Sequence, residues 1–134
     1  MVITFPYQSK NPLTDPLSLD PVIRIELQSG DHLLALVDSG ADISAIPLKI
    51  AQLLGLPLQV QDSQAQGVGG YVSTARTHIQ LTIKDEKTEH EIHLPISVIL
   101  DDIDFPFLLG RKGFFDKFVI CFDETERKVM LHKN

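Results

Sequence analysis

Short apolar or alternating runs, separated by turn-forming residues, are the dominant pattern along the chain. Apolar and polar residues alternate over 22–27 and 77–83, while apolar residues predominate without alternation over 33–37 and 105–109. A period of two is typical of half-buried strands, and short unbroken runs are typical of fully buried ones. Further strands are predicted over 89–100 (with an interruption at Pro95), 118–122 and 128–132. We therefore predict a mostly β domain of the closed-barrel type.

Helix signals are few. Residues 48–54 supply two turns of good helix formers, preceded by Pro47, which suits a helix start, and followed by Gly55, which suits a C-terminal cap. A second, shorter helix is predicted over 112–117. Residues 66–71 hold three glycines between two extended stretches, which predicts a hairpin with a mobile tip.

Proline marks off the beginning of the chain. Residues 1–21 include Pro6, Pro12, Pro16 and Pro21, and proline removes a donor and disfavours helix before it. We predict an extended arm there, either a flexible leader or a strap. Residues 22–134 are predicted to be one folded domain.

Composition excludes several function classes. The net charge of −6 disfavours nucleic-acid binding through a basic surface. The N-terminus lacks the features of a signal peptide, and no apolar run is long enough for membrane insertion. A single cysteine, Cys121, rules out an intrachain disulfide, and we expect a cytoplasmic protein.

An acidic residue ends the most apolar run. The stretch 33–37 leads directly into Asp38, which is followed by small residues. A carboxylate at the end of a buried strand needs a partner or a function. Because Asp-Ser-Gly is ordinary turn chemistry, a structural turn is one interpretation. The other is a catalytic carboxylate held by a rigid scaffold.

Three features in order give the chain a family resemblance. Residues 36–42 (Leu-Val-Asp-Ser-Gly-Ala-Asp), the glycines of 67–70 and residues 107–111 (Phe-Leu-Leu-Gly-Arg) together resemble the retropepsin-like aspartic proteases. The resemblance covers residues 22–132 and implies an acid-protease single lobe with a glycine-rich flap hairpin. The C-terminal hairpin 118–131 is longer than in the viral enzymes and more similar to that of cellular members.

The resemblance implies that Asp38 is catalytic in an aspartic endopeptidase. That chemistry needs two carboxylates, one protonated and one ionised, which share a proton. Since the chain has one Asp-Ser-Gly motif, it implies a homodimer in which Asp38 of each subunit meets on a two-fold axis. Water would be the nucleophile, so neither a metal nor an organic cofactor is expected.

The neighbours of Asp38 receive roles from the same resemblance. Ser39, Gly40 and Ala41 would support the catalytic turn. Asp42 matches the family's second acidic residue, which binds substrate backbone and pairs with the arginine that corresponds to Arg111. That arginine is expected to be buried near the dimer contact.

The glycine hairpin and the second apolar run are assigned to substrate binding. The flap would close over an extended peptide bound as an added strand. Apolar pocket walls would favour apolar substrate side chains. The residues assigned to these roles are Gly67, Val68, Gly69, Gly70 and Leu108.

Other interpretations remain open. Ser39 as a nucleophile lacks the Gly-x-Ser-x-Gly elbow, Arg111 could be an ordinary surface arginine, and the glycines could form a merely floppy hairpin. The domain could also bind peptides without cutting them. A third interpretation is an interaction domain whose partner covers residues 118–131.

Remaining chemical signals are weak. His90 and His93 lie three apart on a predicted strand, which places them on opposite faces and argues against a shared metal. Cys121 lies among apolar strand residues and is predicted to be a buried structural thiol. The acidic residues of 101–104 lack the glycine and terminal glutamate of a calcium loop. No metal site is predicted.

Overall fold

In a computed structural model of the chain, the structure describes residues 2–67 and 70–134. The described residues form ten strands and one α-helix. In chain order these are β1 (Val2–Pro6), β2 (Val22–Leu27), β3 (His32–Val37), β4 (Ser44–Pro47), α1 (Leu48–Leu53), β5 (Gln59–Gly67), β6 (Gly70–Lys84), β7 (Glu89–Ile99), β8 (Phe107–Leu109), β9 (Phe118–Asp123) and β10 (Lys128–Lys133).

Six of the described strands close into a barrel. Around the barrel the order is β2, β3, β8, β4, β7 and β6, and β6 pairs back onto β2. The β3–β8 and β4–β7 pairings are parallel, whereas the others are antiparallel. β5 pairs with the first part of β6, which β2 does not reach, so the two form a hairpin that extends from the barrel. The predicted mostly β, closed-barrel fold class is confirmed.

The barrel interior is apolar because alternating strand residues point to the same face. The predicted alternation over 77–83 is confirmed, since every second residue there is buried. Removing such side chains from water is the main source of stability in a domain of this size. Fully buried members of the core are Ile23, Ile25, Ala35, Leu81, Ile83, Leu94, Ile96 and Leu109.

A second sheet joins the two ends of the chain. β1 pairs antiparallel with β10, which pairs antiparallel with β9. Ile3 and Tyr7 are buried, and the Tyr7 hydroxyl donates to a Glu124 carboxylate oxygen at 2.9 Å. Burial, followed by this contact with Glu124, raises the pKa of Tyr7 to about 12. The first residues of the arm thus pack as a strap against the C-terminal hairpin.

The helix signals had different outcomes. α1 begins directly after Pro47, and Gly55 just beyond it has φ +63°, as expected for a glycine that ends a helix. The short helix predicted over 112–117 is present only in part. A single helical turn covers Arg111–Phe115, and Lys112 and Gly113 inside it have non-helical dihedrals.

The predicted interruption of β7 at Pro95 is also wrong, because the strand runs unbroken through Glu89–Ile99. Pro95 stays in register with His78 of β6. On the other edge of β7, β4 begins to pair only at Ile96. The proline therefore lies where that edge is still unpaired, a position that a residue without an N–H can occupy.

No helix in the described part of the chain is long and apolar enough to span a bilayer.

Candidate active site

The loop that connects β3 to β4 carries the acidic motif. Apolar β3 is held between β2 and β8 inside the barrel wall, and it ends at Val37. The Asp38 N–H donates to the Leu109 carbonyl oxygen at 2.9 Å, so the last residue of β8 fixes the start of the loop. Asp38 is half-buried, while Ser39 and Gly40 are exposed. A carboxylate is thereby presented at the edge of a rigid barrel.

The loop folds back on the Asp38 carboxylate. The Gly40 N–H donates to Asp38 Oδ1 at 2.9 Å, and the Ala41 N–H donates to the Asp38 carbonyl oxygen at 3.3 Å. A carboxylate that accepts from backbone two residues later is held in one orientation. These bonds are compatible with both the turn interpretation and the catalytic interpretation of Asp38.

The segment after β8 interlocks with this loop. The Arg111 N–H donates to the Ala41 carbonyl oxygen at 2.8 Å, and the Lys112 N–H donates to the Asp42 carbonyl oxygen at 3.0 Å. These bonds join two parts of the chain that are far apart in sequence. The position of the acidic loop is therefore determined by residues 109–112 as much as by its own turn.

Gly110 and Ser44 form a further contact between the two segments. We call this set of hydrogen bonds, between residues 41–44 and 110–112, the interlock. The Gly110 N–H donates to Ser44 Oγ at 2.9 Å, and both groups are buried. A Cβ added at Gly110 would lie 2.6 Å from the carbonyl carbon of Ile43 and 2.9 Å from the carbonyl oxygen of Ala41. Glycine is required here for close approach, not for dihedral freedom, since its φ is −97°.

Asp42 and Arg111 form an ion pair through Oδ1 and a guanidinium nitrogen. The expectation that Arg111 is buried is wrong for the single chain, because its side chain is 58% exposed and that of Asp42 is 85% exposed. The backbone of both residues takes part in the hydrogen bonds between the loop and the segment after β8, whereas their side chains are largely exposed. An exposed pair of this kind stabilises a fold by at most about 1 kcal/mol.

A cavity of about 880 Å³ opens beside the acidic loop. Leu108, predicted to contribute to substrate binding, is not among the residues that line it, although its partner across the β4–β8 pair, Ala45, is. Loop residues, the turn after β8 and the β6–β7 wall line this space instead. They are Gly40, Ala41, Asp42, Ile43, Ala45, Arg76, Ser97, Ile99, Arg111 and Lys112.

The predicted flap corresponds to the β5–β6 hairpin. Gly67 pairs with Gly70 at the end of the hairpin, and Gly70 has φ +110°, a conformation that favours glycine. Val68 and Gly69, also assigned to the flap, lie outside the described residues. A two-stranded extension from a barrel has the shape that a covering element needs.

The histidines and the cysteine for which the sequence predicted no catalytic or metal-binding role have ordinary surroundings. The His90 ring makes an edge contact with Phe118 at 5.7 Å between centroids, whereas His93 is exposed. Cys121 was expected to be buried, whereas it is half-buried in the structure. Among the residues that the structure describes, no three His, Cys, Asp or Glu side chains are grouped as metal ligands.

Sequence reasoning missed several residues of the site, and three of them have polar side chains that matter for its chemistry. Ser44 is the buried acceptor for Gly110, and Arg76 and Ser97 form part of the cavity wall. Ser44 could have been noticed as a polar residue inside a short apolar stretch. Arg76 and Ser97 had no local signal, since only the strand pairing brings them beside the loop.

Comparisons with known proteins agree with this architecture. A family model described as "gag-polyprotein putative aspartyl protease" matches residues 25–114. A solved retropepsin-like aspartic protease from Rickettsia conorii is similar over 98% of this chain and 91% of its own, with a TM-score of 0.60 and 19% identity. EIAV protease in complex with the inhibitor HBY-793 matches with 26% identity over 74% of this chain and 88% of its own, at a TM-score of 0.49. No curated protein matches the chain.

Proposed function

We propose, since the chain belongs to the gag-polyprotein aspartyl protease family, that it is an aspartic endopeptidase whose two catalytic carboxylates are Asp38 and the same residue of a second copy. The family resemblance inferred from the sequence motifs is confirmed, and the fold is shared with a retropepsin-like protease. Activity, dimerisation and the role of each residue go beyond that family membership and constitute the proposal.

The observation that supports this proposal is the difference between the hydrogen-bond and ion-pair partners of the two acidic residues in the loop. Asp42 is already paired with Arg111, so it is poorly suited to share a proton with Asp38. Asp38 is half-buried at the loop surface and its carboxylate accepts from the Gly40 N–H. The second carboxylate that Asp38 needs would therefore come from Asp38 of another copy of the chain. Closed two-fold symmetry would place identical loops face to face.

The proposed chemistry follows from such a pair. Of two carboxylates in contact, one keeps a proton and the other is ionised, because two negative charges at that distance repel. The ionised member accepts a proton from water, which attacks the peptide carbonyl carbon, and the protonated member donates to the carbonyl oxygen. Collapse of the tetrahedral intermediate then breaks the C–N bond: the amine takes up the proton that the first carboxylate had accepted from water, and a hydroxyl group of the intermediate returns a proton to the second carboxylate. Neither a metal nor an organic cofactor takes part in these proposed reaction steps.

Hydrolysis of a peptide library at pH values from about 3 to 8, the range in which carboxylates titrate, tests the proposal. Asp38→Asn should reduce cleavage about 10³-fold or more, because an amide cannot take part in either proton transfer. Asp102→Asn is the matched control, since Asp102 is exposed in a different loop, and it should retain wild-type rates. Cleavage by Asp38→Asn at the wild-type rate would refute the assignment.

Mixing variants tests the shared site. If activity needs two Asp38 residues, an equimolar, fully exchanged mixture of wild type and Asp38→Asn keeps about one quarter of the activity of the same total amount of wild type. If each chain acts alone, about one half remains. Light scattering on the same samples gives the mass. A strict monomer that binds peptides without cutting them would instead favour the second candidate function, a peptide-binding module, for which the open cavity beside the loop provides the space.

A further inference from the structure

The cavity beside the acidic loop carries an excess of positive charge. Arg76, Arg111 and Lys112 line it, and Asp42 is the acidic residue among its lining side chains. The chain as a whole carries a net charge of −6, so the local sign is opposite to the global one. A concave surface with one sign of charge attracts ligand groups of the other sign.

Arg76 differs from the other two cations in its position. Arg111 is engaged with Asp42 and Lys112 is exposed, whereas Arg76 is half-buried in the wall. Among the described side chains, no carboxylate forms an ion pair with Arg76. A guanidinium in a partly desolvated wall is well suited to bind a carboxylate through two parallel hydrogen bonds.

Strand register shows why there is room for a ligand beside Arg76. Ala45 of β4 is opposite Ser97 of β7, and Ser97 is opposite Arg76 of β6. Directly opposed residues share a face of the sheet, so a small apolar side chain, a small hydroxyl side chain and an arginine form one row along the cavity wall. The two small members leave space next to the guanidinium. Ile99, two residues beyond Ser97 on the same face, borders the row with apolar surface.

We propose that Arg76 is a specificity-determining residue that selects an acidic side chain, Asp or Glu, at one position of the bound peptide. This inference rests on the proposed function, because it assumes that the cavity beside Asp38 holds peptide. The aliphatic part of the acidic side chain would lie against Ala45 and Ile99, with its carboxylate on the guanidinium and within reach of the Ser97 hydroxyl. The apolar preference expected from the sequence would then hold for other positions only.

Equilibrium binding in the Asp38→Asn background tests the proposal without requiring cleavage. The probe is a decapeptide library in which one position at a time is fixed as Glu, Gln, Leu or Lys. At one position we expect Glu to be favoured over its isostere Gln by about tenfold. The preference should weaken as salt is raised, because Arg76 is only half-buried.

Variants assign the preference to the side chain. Arg76→Gln should bring the Glu and Gln peptides within about twofold, Arg76→Lys should retain part of the preference, and Arg76→Glu should favour Lys instead. Arg24→Gln, which removes an exposed arginine on β2, has the same change in net charge and should leave the preference intact. Circular dichroism confirms that each variant is folded.

The outcomes separate the two proposals. A library with no acidic preference at any position, or a preference that survives Arg76→Gln, overturns the role of Arg76 whether or not the wild type cleaves peptides. An Arg76-dependent acidic preference in a protein that never cleaves peptides supports this inference as a binding property and overturns the endopeptidase. Cleavage that depends on Asp38 but shows no acidic preference supports the endopeptidase and overturns the role of Arg76.

Discussion

Replacement of Gly110 by alanine is the sharpest test of how the acidic loop is held. The new Cβ would lie 2.6 Å from the Ile43 carbonyl carbon, roughly 0.8 Å short of ordinary contact, and the crowded atoms belong to backbone. Overpacking of this kind costs about 1–3 kcal/mol. If the loop moves away to relieve it, the bonds from Gly110 to Ser44 and from Arg111 to Ala41 lengthen, at about 1 kcal/mol each. We expect a loss of about 3 kcal/mol in the free energy of unfolding.

The loss is measured by urea unfolding and by the thermal midpoint, which should fall by about 10 °C in a domain of this size. Protein concentration is kept fixed, because association would shift both values. Gly55→Ala is the control: it has open space around the Cβ and a φ of +63°, so it should cost about 1 kcal/mol from dihedral strain alone. If Gly110→Ala is no more destabilising than Gly55→Ala, the interlock does not depend on close approach and the reasoning fails.

Two further predictions concern the interlock and the N-terminal strap. Ser44→Ala leaves the buried Gly110 N–H without its acceptor and should lower the free energy of unfolding by about 1–3 kcal/mol in urea titrations; a change below about 0.5 kcal/mol would contradict it. The folded pKa of Tyr7, about 12, is raised above its ordinary value of 10. The unfolded chain therefore loses this proton first, so the tyrosine's contribution to stability is present below about pH 10 and is lost as the pH rises through about 12. Thermal midpoints of wild type and Tyr7→Phe should converge over that range, and parallel curves would show that neither burial nor the Glu124 contact links ionisation of Tyr7 to folding.

The strands could be predicted because their signals are local. Alternation over 22–27 and 77–83 and the apolar run before Asp38 each depend on a few neighbouring residues. One face of every such strand has to be buried whatever the partner is. The same locality explains why the end of α1 just before Gly55 was predicted correctly, since a left-handed glycine after helix formers needs no tertiary context.

The wrong predictions arise where a contact with a residue far away in the sequence determines the local backbone structure. Lys112 looks like the start of a helix, but its N–H donates to the Asp42 carbonyl oxygen, and the backbone leaves helical dihedrals there. Pro95 looks like a strand break, yet the free edge of β7 at that residue depends on where β4 begins. The Ser44–Gly110 bond spans a separation of 66 residues. No window of sequence around either residue contains that information.

The electrostatics of the acidic loop connect fold and proposed function. Asp42 and Asp38 are four residues apart, but among the described residues only Asp42 is paired with a cation, whereas Asp38 Oδ1 accepts from a backbone N–H. An arginine beside Asp38 would stabilise its ionised form and oppose the sharing of a proton. By pairing Arg111 with Asp42 instead, the interlock positions the loop and leaves the Asp38 carboxylate without a competing cation among the described residues. Arg76, a half-buried cation of the cavity wall, also has no ion pair to a described carboxylate, so the loop that would carry out hydrolysis and the wall that would select the substrate use separate charges.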